Sequence, residues 1–387
     1  MSPRKPILPG ATIGILGAGQ LGRMLALEAH RLGFGVAVFS PEANSPAAAV
    51  ADRAVVAAFD DLTAIRAFAA SVDVVTFEFE NVPSAAALAA TEAAPVHPDA
   101  HVLHTTQHRL REKAFLRAAG VPITPFAAID TLESLVAAVS EIGLPAILKT
   151  AGFGYDGKGQ QRLTAENVDP QALAAAHAAL AGQPGVLEAF VPFDREISVL
   201  AARDAAGNVV CHPAFENRHA HHVLDTTVCP AALSPEQADE ARRIATHIVD
   251  TLALVGVLCV EFFLHRDGRL LVNELAPRAH NSAHLTLDAS DTSQFEQQIR
   301  AICGLPLGDA SVPRPAAMAN LLGDLWALGE PDWAAALAVP GVRLHLYGKR
   351  GARPGRKMGH LTAVADTGEA ALSAVLEARR RLSVASP

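Results

Sequence analysis

The stretch GVLCVEFFLHRDGRLLVNELAP, from Gly256 to Pro277, decides the fold. Two apolar runs flank Asp267 and Gly268, a dipeptide preferred in two-residue hairpin turns because both central positions take positive φ. With Arg266 opposite Arg269, pairing runs through Leu264 with Leu271 to Glu261 with Glu274. That register sets two carboxylates across from each other on one face, where like charges repel. Among such apolar neighbours the pair needs a proton, a basic side chain or a metal, and two oxygen ligands suit magnesium better than zinc. Neutralisation by Arg278 or a lysine would leave the same sequence, and a slip of one residue would separate the two acids.

Working upstream, Lys149 ends an apolar strand and leads into AGFGYDGKGQ, whose glycines at 152, 154, 157 and 159 allow close backbone approach to phosphates. Lys158 adds positive charge at the tip. The loop lacks the GxxxxGK[ST] spacing of a P-loop, and a solvent-exposed hairpin tip would read the same way. Further upstream, GILGAGQLGRM holds Gly17-x-Gly19-x-x-Gly22 between a strand, Thr12 to Gly17, and a helix from Gln20 to about Leu32. With Glu42 after a second strand, this half loosely matches the dinucleotide fingerprint. A nicotinamide or flavin oxidoreductase is therefore one alternative, and close helix–strand packing without any ligand is another.

The alternation continues through VDVVTFEFE, Val72 to Glu80, and gives a βαβ pattern of the α/β class. Three units are expected, over residues 1–108, 109–191 and 192–387, with the charged helix Arg109 to Ala119 at the exit from the first. Helices are expected at Leu132 to Ile142 and Pro235 to Leu254, and strands at Ala146 to Lys149, Val186 to Val191, Ile197 to Ala202 and Val209 to Ala214. After Leu307 the chain reads as poor in strands until VRLHLYGK.

At 387 residues the chain is longer than one core usually serves. Half of it is hydrophobic, yet no run approaches the roughly 20 apolar residues of a membrane helix, and the N-terminus lacks the pattern of a secretory signal. A cytoplasmic protein is expected. The four cysteines are scattered without a CxxC pair, so neither a disulfide framework nor a zinc site is implied. A net charge of −8 argues against a broad nucleic-acid surface but leaves room for a local basic pocket. KRGARPGRK, Lys349 to Lys357, is such a stretch, a candidate pocket for a phosphate with a solvated basic loop as the alternative. His219, His221 and His222, near Asp225, read as a polar ligand-facing hairpin rather than a transition-metal site, because no acidic partner comes from a distant segment.

Taken together, GILGAGQLGRM, TFEFENVP, LKTAGFGYDGKGQ, FENRHAHHVLD, NELAPRAHNSAH and RPGRKMGH resemble the ATP-grasp superfamily. Within it, the chain is similar along nearly its whole length to the 5-(carboxyamino)imidazole ribonucleotide synthases of purine biosynthesis. GYDGKGQ and RPGRKMGH are specific to that family, whereas the glycine loop and the Asn273-Glu274 pair are shared with other ATP-grasp ligases, such as the formate-dependent glycinamide ribonucleotide transformylase. The resemblance implies an α/β protein, α+β overall, with the ATP-grasp fold. It would have a Rossmann-like pre-ATP-grasp domain, a small lid and a C-terminal mixed domain, and would form a homodimer.

The activity implied is ATP-dependent carboxylation of the amine of aminoimidazole ribonucleotide with bicarbonate, using magnesium. The resemblance assigns Arg109 and Lys149 to the ATP phosphates. Gly154, Tyr155, Asp156, Gly157, Lys158, Gly159 and Gln160 would close over them. Glu188, Ala189, Phe190 and Val191 would form the adenine link, with Glu196 on the ribose and His219 in the same site. Glu261 and Glu274 would bind the metal beside Asn273. The ribonucleotide would meet Tyr155, Asp156, Arg278, Asn281, Ser282, Lys349, Arg356 and Lys357, with Glu78 or Glu80 facing the same cleft. Asp156, assisted by Tyr155, is the candidate base. The chain departs from the family at Ala279, Ala283 and Leu285, and Ala276 replaces an Asn common in ATP-grasp relatives, which favours one magnesium over two.

Overall fold

A computed structural model describes residues 5–152 and 159–382. The first sheet has four parallel strands in the order Arg53–Val56, Gly35–Ser40, Thr12–Leu16, Val74–Phe77. Gly35–Ser40, Thr12–Leu16 and Val74–Phe77 are buried along nearly their whole length, which is why they read as unbroken apolar runs. Arg53–Val56 is a mostly exposed edge of mixed composition, and its pattern escaped the sequence reading. Helix Gln20–Arg31 begins directly after Gly19 and buries Met24, Leu25, Ala26 and Ala29. These residues share a core with Phe295, Ile299 and Ile302 of helix Gln294–Ile302.

The second sheet is antiparallel, in the order Phe126–Ile129, Gly185–Ala189, Ala146–Thr150, Gln160–Leu163. Helices Leu132–Ile142 and Pro170–Ala178 pack on it through Leu135, Ala138, Leu173 and Ala176. Their starts follow from local chemistry: Thr131 and Ser134 cap each other's amides, and Asp169 caps a helix that opens with Pro170.

Nine strands make the third sheet. Its path runs Leu270–Ala276, Gly256–His265, Phe193–Arg203, Phe215–Ala220, Val223–Cys229, Ala316–Leu322, Lys357–Val364, Val342–Leu346, and Val209–Cys211 adds to Phe193–Arg203. Helix Pro235–Thr251 lays Ile244, Ile248 and Val249 over Val199, Leu258 and Val260. It stops short of the expected Leu254, and Ala253 turns to φ 47. Leu116 and Val121, from and just after helix Arg109–Ala118, belong to this same core. The central strand Ala316–Leu322 was not expected. Its alanines carry a helical composition, but here they let helix Gly368–Leu382 pack closely on the sheet.

The hairpin departs from the expected turn. Only Gly268 takes positive φ, at 88°. Its N–H donates to His265 O at 2.8 Å, and the His265 N–H donates to Arg269 O at 2.9 Å, as in a three-residue loop closed by a glycine bulge. Near the tip, pairing is therefore shifted by one, with Leu264 opposite Leu270 and Phe263 opposite Leu271. A second irregularity past Phe262 and Val272 leaves Asn273 as the extra residue, and Glu261 regains Glu274 as its partner.

Candidate active site

Residues from all three sheets line one cleft of about 1130 Å³. Arg109, Lys149, Gln160, Glu196, His219, Asn273 and Glu274, expected at the nucleotide, line it. So do Glu261 and, of the residues expected at the ribonucleotide, Glu78, Glu80, Arg278, Asn281 and Lys357. Gly159 stands at the edge of the glycine loop with φ 70°. Gly154, Tyr155, Asp156, Gly157 and Lys158 lie outside the described residues. Among the described residues, Glu188 to Val191, Ser282, Lys349 and Arg356 are not part of the lining.

Glu261 and Glu274 face each other across the hairpin, and their titrations split. Burial and the charge on Glu261 raise the Glu274 carboxyl above its ordinary range, while Arg109 and Lys149 partly offset them. Burial opposes the charge on Glu261 too, but His280 Nε2 at 3.0 Å, with His219 and Arg278 nearby, outweighs it and lowers that pKa. The two carboxylates offer hard oxygen donors, and Glu274 is short of positive charge, which fits a magnesium ion. Among the described residues no three His, Cys, Asp or Glu side chains converge on a metal, so phosphate oxygens and water would have to complete its shell.

Lys149 is held from behind. Its Nζ lies 2.9 Å from Glu188 Oε2, and the buried Lys113 Nζ lies 3.2 Å from Glu188 Oε1. The Glu188 carboxylate thus joins two lysines rather than facing the cleft. The amides of Ala189 and Phe190 donate to Pro125 O and Pro145 O, both at 3.0 Å. Arg109 enters from the start of its helix, with Nη1 donating to Thr150 O at 3.0 Å. Glu196 and His219 meet on neighbouring strands, Nδ1 to Oε2 at 2.6 Å. Burial alone would lower the His219 pKa, but Glu196 and Glu261 raise it.

In the first sheet the glycine-rich turn is already filled. Glu78, just past strand Val74–Phe77, accepts from the Gly22 N–H at 2.7 Å and from the Gly19 N–H. A Cβ on Gly19 would stand 2.8 Å from Glu78 Oε1, and one on Gly17, at φ 106°, would fall into the Glu78 side chain. The amides that a dinucleotide pyrophosphate would need are taken by the protein's own carboxylate, which overturns the oxidoreductase alternative. The glycines serve the close approach of Glu78.

Arg278 closes the opposite wall in a two-bond pair with Glu80. The basic stretch folds back on itself, with Lys349 Nζ donating to Lys357 O at 2.7 Å and Arg356 Nη1 to Arg350 O at 2.6 Å and Gly351 O at 2.8 Å. Ser282, expected on the ribonucleotide, points inward. It sits fully buried in the turn Asn281–Ala283, with its hydroxyl 2.7 Å from Ser198 Oγ and 2.8 Å from His280 Nδ1. Asn281 differs: its buried amide lines the cleft without a hydrogen-bond partner among the described residues. Asp225 pairs with Arg379 at 2.5 Å, away from the histidines.

Sequence reasoning missed Glu112, Lys113 and His280. Glu112 and Lys113 sit in the charged helix expected at the exit from the first unit, and both are buried. Only two adjacent charges at core-facing positions of that helix could have exposed them. It missed the Phe193 and Phe263 rings as well, stacked at 4.8 Å on the cleft wall.

Comparisons with known proteins agree with this arrangement. The ribonucleotide synthetase preATP-grasp domain matches residues 10–107, the ATP-grasp domain residues 114–295, and the phosphoribosylaminoimidazole carboxylase C-terminal domain residues 316–374. The chain is 47% identical over 356 residues to the N5-carboxyaminoimidazole ribonucleotide synthase of Brucella melitensis, across 92% of this chain and 97% of the relative. The Bacillus subtilis synthase is 43% identical, across 92% of both. A crystal structure of the ADP complex of an N5-carboxyaminoimidazole ribonucleotide synthetase matches with a TM-score of 0.89 at 40% identity, covering 97% of this chain and 98% of that one. The Aspergillus clavatus synthase in complex with ADP and 5-aminoimidazole ribonucleotide matches with a TM-score of 0.86 at 30% identity, covering 96% and 99%. With its ATP-grasp fold, pre-ATP-grasp sheet and C-terminal unit, this chain belongs to the N5-carboxyaminoimidazole ribonucleotide synthase family of ATP-grasp ligases.

Proposed function

We propose that the chain carboxylates the amine of 5-aminoimidazole ribonucleotide with bicarbonate, converting ATP to ADP and phosphate, as a step of de novo purine biosynthesis. The observation that carries this reading is one cleft in which Arg109 and Lys149, the Glu261–Glu274 pair, and Arg278 with Asn281 and Lys357 converge. The relatives' names and the ribonucleotide bound in the Aspergillus clavatus complex support it.

A bicarbonate oxygen attacks the γ-phosphorus in line and the bond to the β-phosphate oxygen breaks, which gives carboxyphosphate and ADP. Lys149 and Arg109 stabilise charge on the transferring group. Glu261 and Glu274 would hold a magnesium ion, whose chemistry there would be charge stabilisation of the transferring group. The ribonucleotide amine then takes the carboxyl carbon, phosphate leaves, and the amine loses a proton, for which Asp156 with Tyr155 is the proposed acceptor. Arg278, Asn281 and Lys357 orient the ribonucleotide, and Glu196 with His219 the ribose of ATP.

The same proposal divides the chain into units 1–108, 109–191 and 192–387, the second acting as a lid that excludes water. Three separate sheets support the division. It also takes the enzyme as a cytoplasmic homodimer. Among the described residues no helix is long and apolar enough to cross a membrane. The deciding assay is ADP release, expected only when bicarbonate and aminoimidazole ribonucleotide are both present. Release with formate and glycinamide ribonucleotide instead would overturn the reading.

A further inference from the structure

A lysine that cannot reach the cleft stands behind the lysine that does. Lys113 is 1% exposed, and among the described residues it does not line the cleft. It lies one turn after Arg109 on helix Arg109–Ala118, so both project from the same side of that helix. Arg109 opens into the cleft, whereas Lys113 ends 3.2 Å from Glu188, whose other oxygen holds Lys149 at 2.9 Å.

Burying an ammonium group is costly, and a leucine or methionine would fill the same space more cheaply. The charge therefore calls for an explanation. Lys149 and Glu188 alone form a neutral pair, in which the carboxylate fixes the lysine but cancels its attraction for a phosphate. With Lys113 added, two cations share one carboxylate, and the group presents a net charge of one plus to the cleft.

We infer that Lys113 is a positioning residue for the nucleotide: it offsets Glu188, so that Lys149 is held rigidly and still acts as a full cation toward the phosphates of ATP. This rests on the ATP-dependent reading above. Lys113 touches no substrate and acts only through Glu188.

The test is ATP affinity, measured by calorimetry with magnesium and ATP on the full chain, with a melting curve for each variant. Lys113→Met should weaken ATP binding by about tenfold or more, and Lys113→Arg by no more than about threefold. The double variant Lys113→Met with Glu188→Gln should regain most of that loss, because no carboxylate is left to cancel Lys149. A packing role predicts the opposite, since a second core lesion adds to the first. Wild-type affinity in Lys113→Met, or a double variant weaker than the single one, overturns the inference. If Lys113→Met does not fold, the double variant decides: affinity near wild type supports the inference, and its loss refutes it. Binding does not depend on turnover, so a wild-type protein that binds ATP but releases no ADP with bicarbonate and the ribonucleotide counts against the ligase reading alone.

Discussion

Glu80 and Arg278 hold each other in a two-bond clasp, with Nη2 2.8 Å from Oε1 and Nε on Oε2. One residue leaves the first sheet and the other follows the third sheet's hairpin, so the clasp ties two walls of the cleft together.

Burial opposes the charge on Glu80, but Arg278 outweighs it and holds the pKa at about 2. A depressed carboxyl stabilises the fold above its ordinary pKa of 4.5 and loses that contribution as pH falls toward 2. Glu80→Gln should therefore cost about 2–3 kcal/mol at pH 7, since Arg278 loses its charged partner, and the deficit should shrink toward pH 2. Urea unfolding at the two pH values checks this, and an equal deficit at both would contradict it.

Glu112 behaves in the opposite sense. Burial, and then the charge on Glu274, push its carboxyl up to about 8. Folded, it keeps a proton that the unfolded chain releases above about 4.5, so stability should fall as pH rises from there through about 8. Glu112→Gln keeps an acceptor for the Leu275 N–H, now 3.0 Å from Glu112 Oε2, and should flatten that slope. Melting temperatures from pH 5 to 9 for both proteins provide the comparison.

Glu274→Gln separates chemistry from stability. Losing one of the two carboxylates proposed to hold magnesium should lower kcat by about a hundredfold or more. Without metal, the variant should melt no lower than wild type, because the repulsion across the hairpin is gone. Near-normal turnover would remove Glu274 from the metal site.

Gly17→Ala adds a Cβ into the Glu78 side chain, at a φ of 106° that L-residues rarely adopt. The two effects together should cost about 2–4 kcal/mol, read from a guanidinium unfolding midpoint. Nicotinamide and flavin dinucleotides should leave the wild-type melting curve unmoved, because Glu78 already occupies the amides of Gly19 and Gly22.

Much of this is legible in the sequence. Helix Leu132–Ile142 has the expected bounds because its cap residues and apolar spacing agree. The meeting of Glu261 with Glu274 was legible for a less secure reason, since turn and bulge each shift the register by one and cancel. What stayed hidden depends on partners far along the chain. A lone Glu78 gives no sign that it will sit on glycines 59 and 56 residues earlier. Lys113 in a helix of mixed charge gives no sign that Glu188 will bury it. The alanines of Ala316–Leu322 take their conformation from neighbouring strands, where local preference is easily overridden.

The supernumerary Asn273 has a consequence for how this ribbon can change length. Because Asn273 is the residue with no partner on the facing strand, its loss would regularise the ladder, with Phe262 opposite Val272 and Glu261 still opposite Glu274. A ribbon shortened by one residue should therefore keep its two carboxylates paired when the loss falls at Asn273, with no change at the tip.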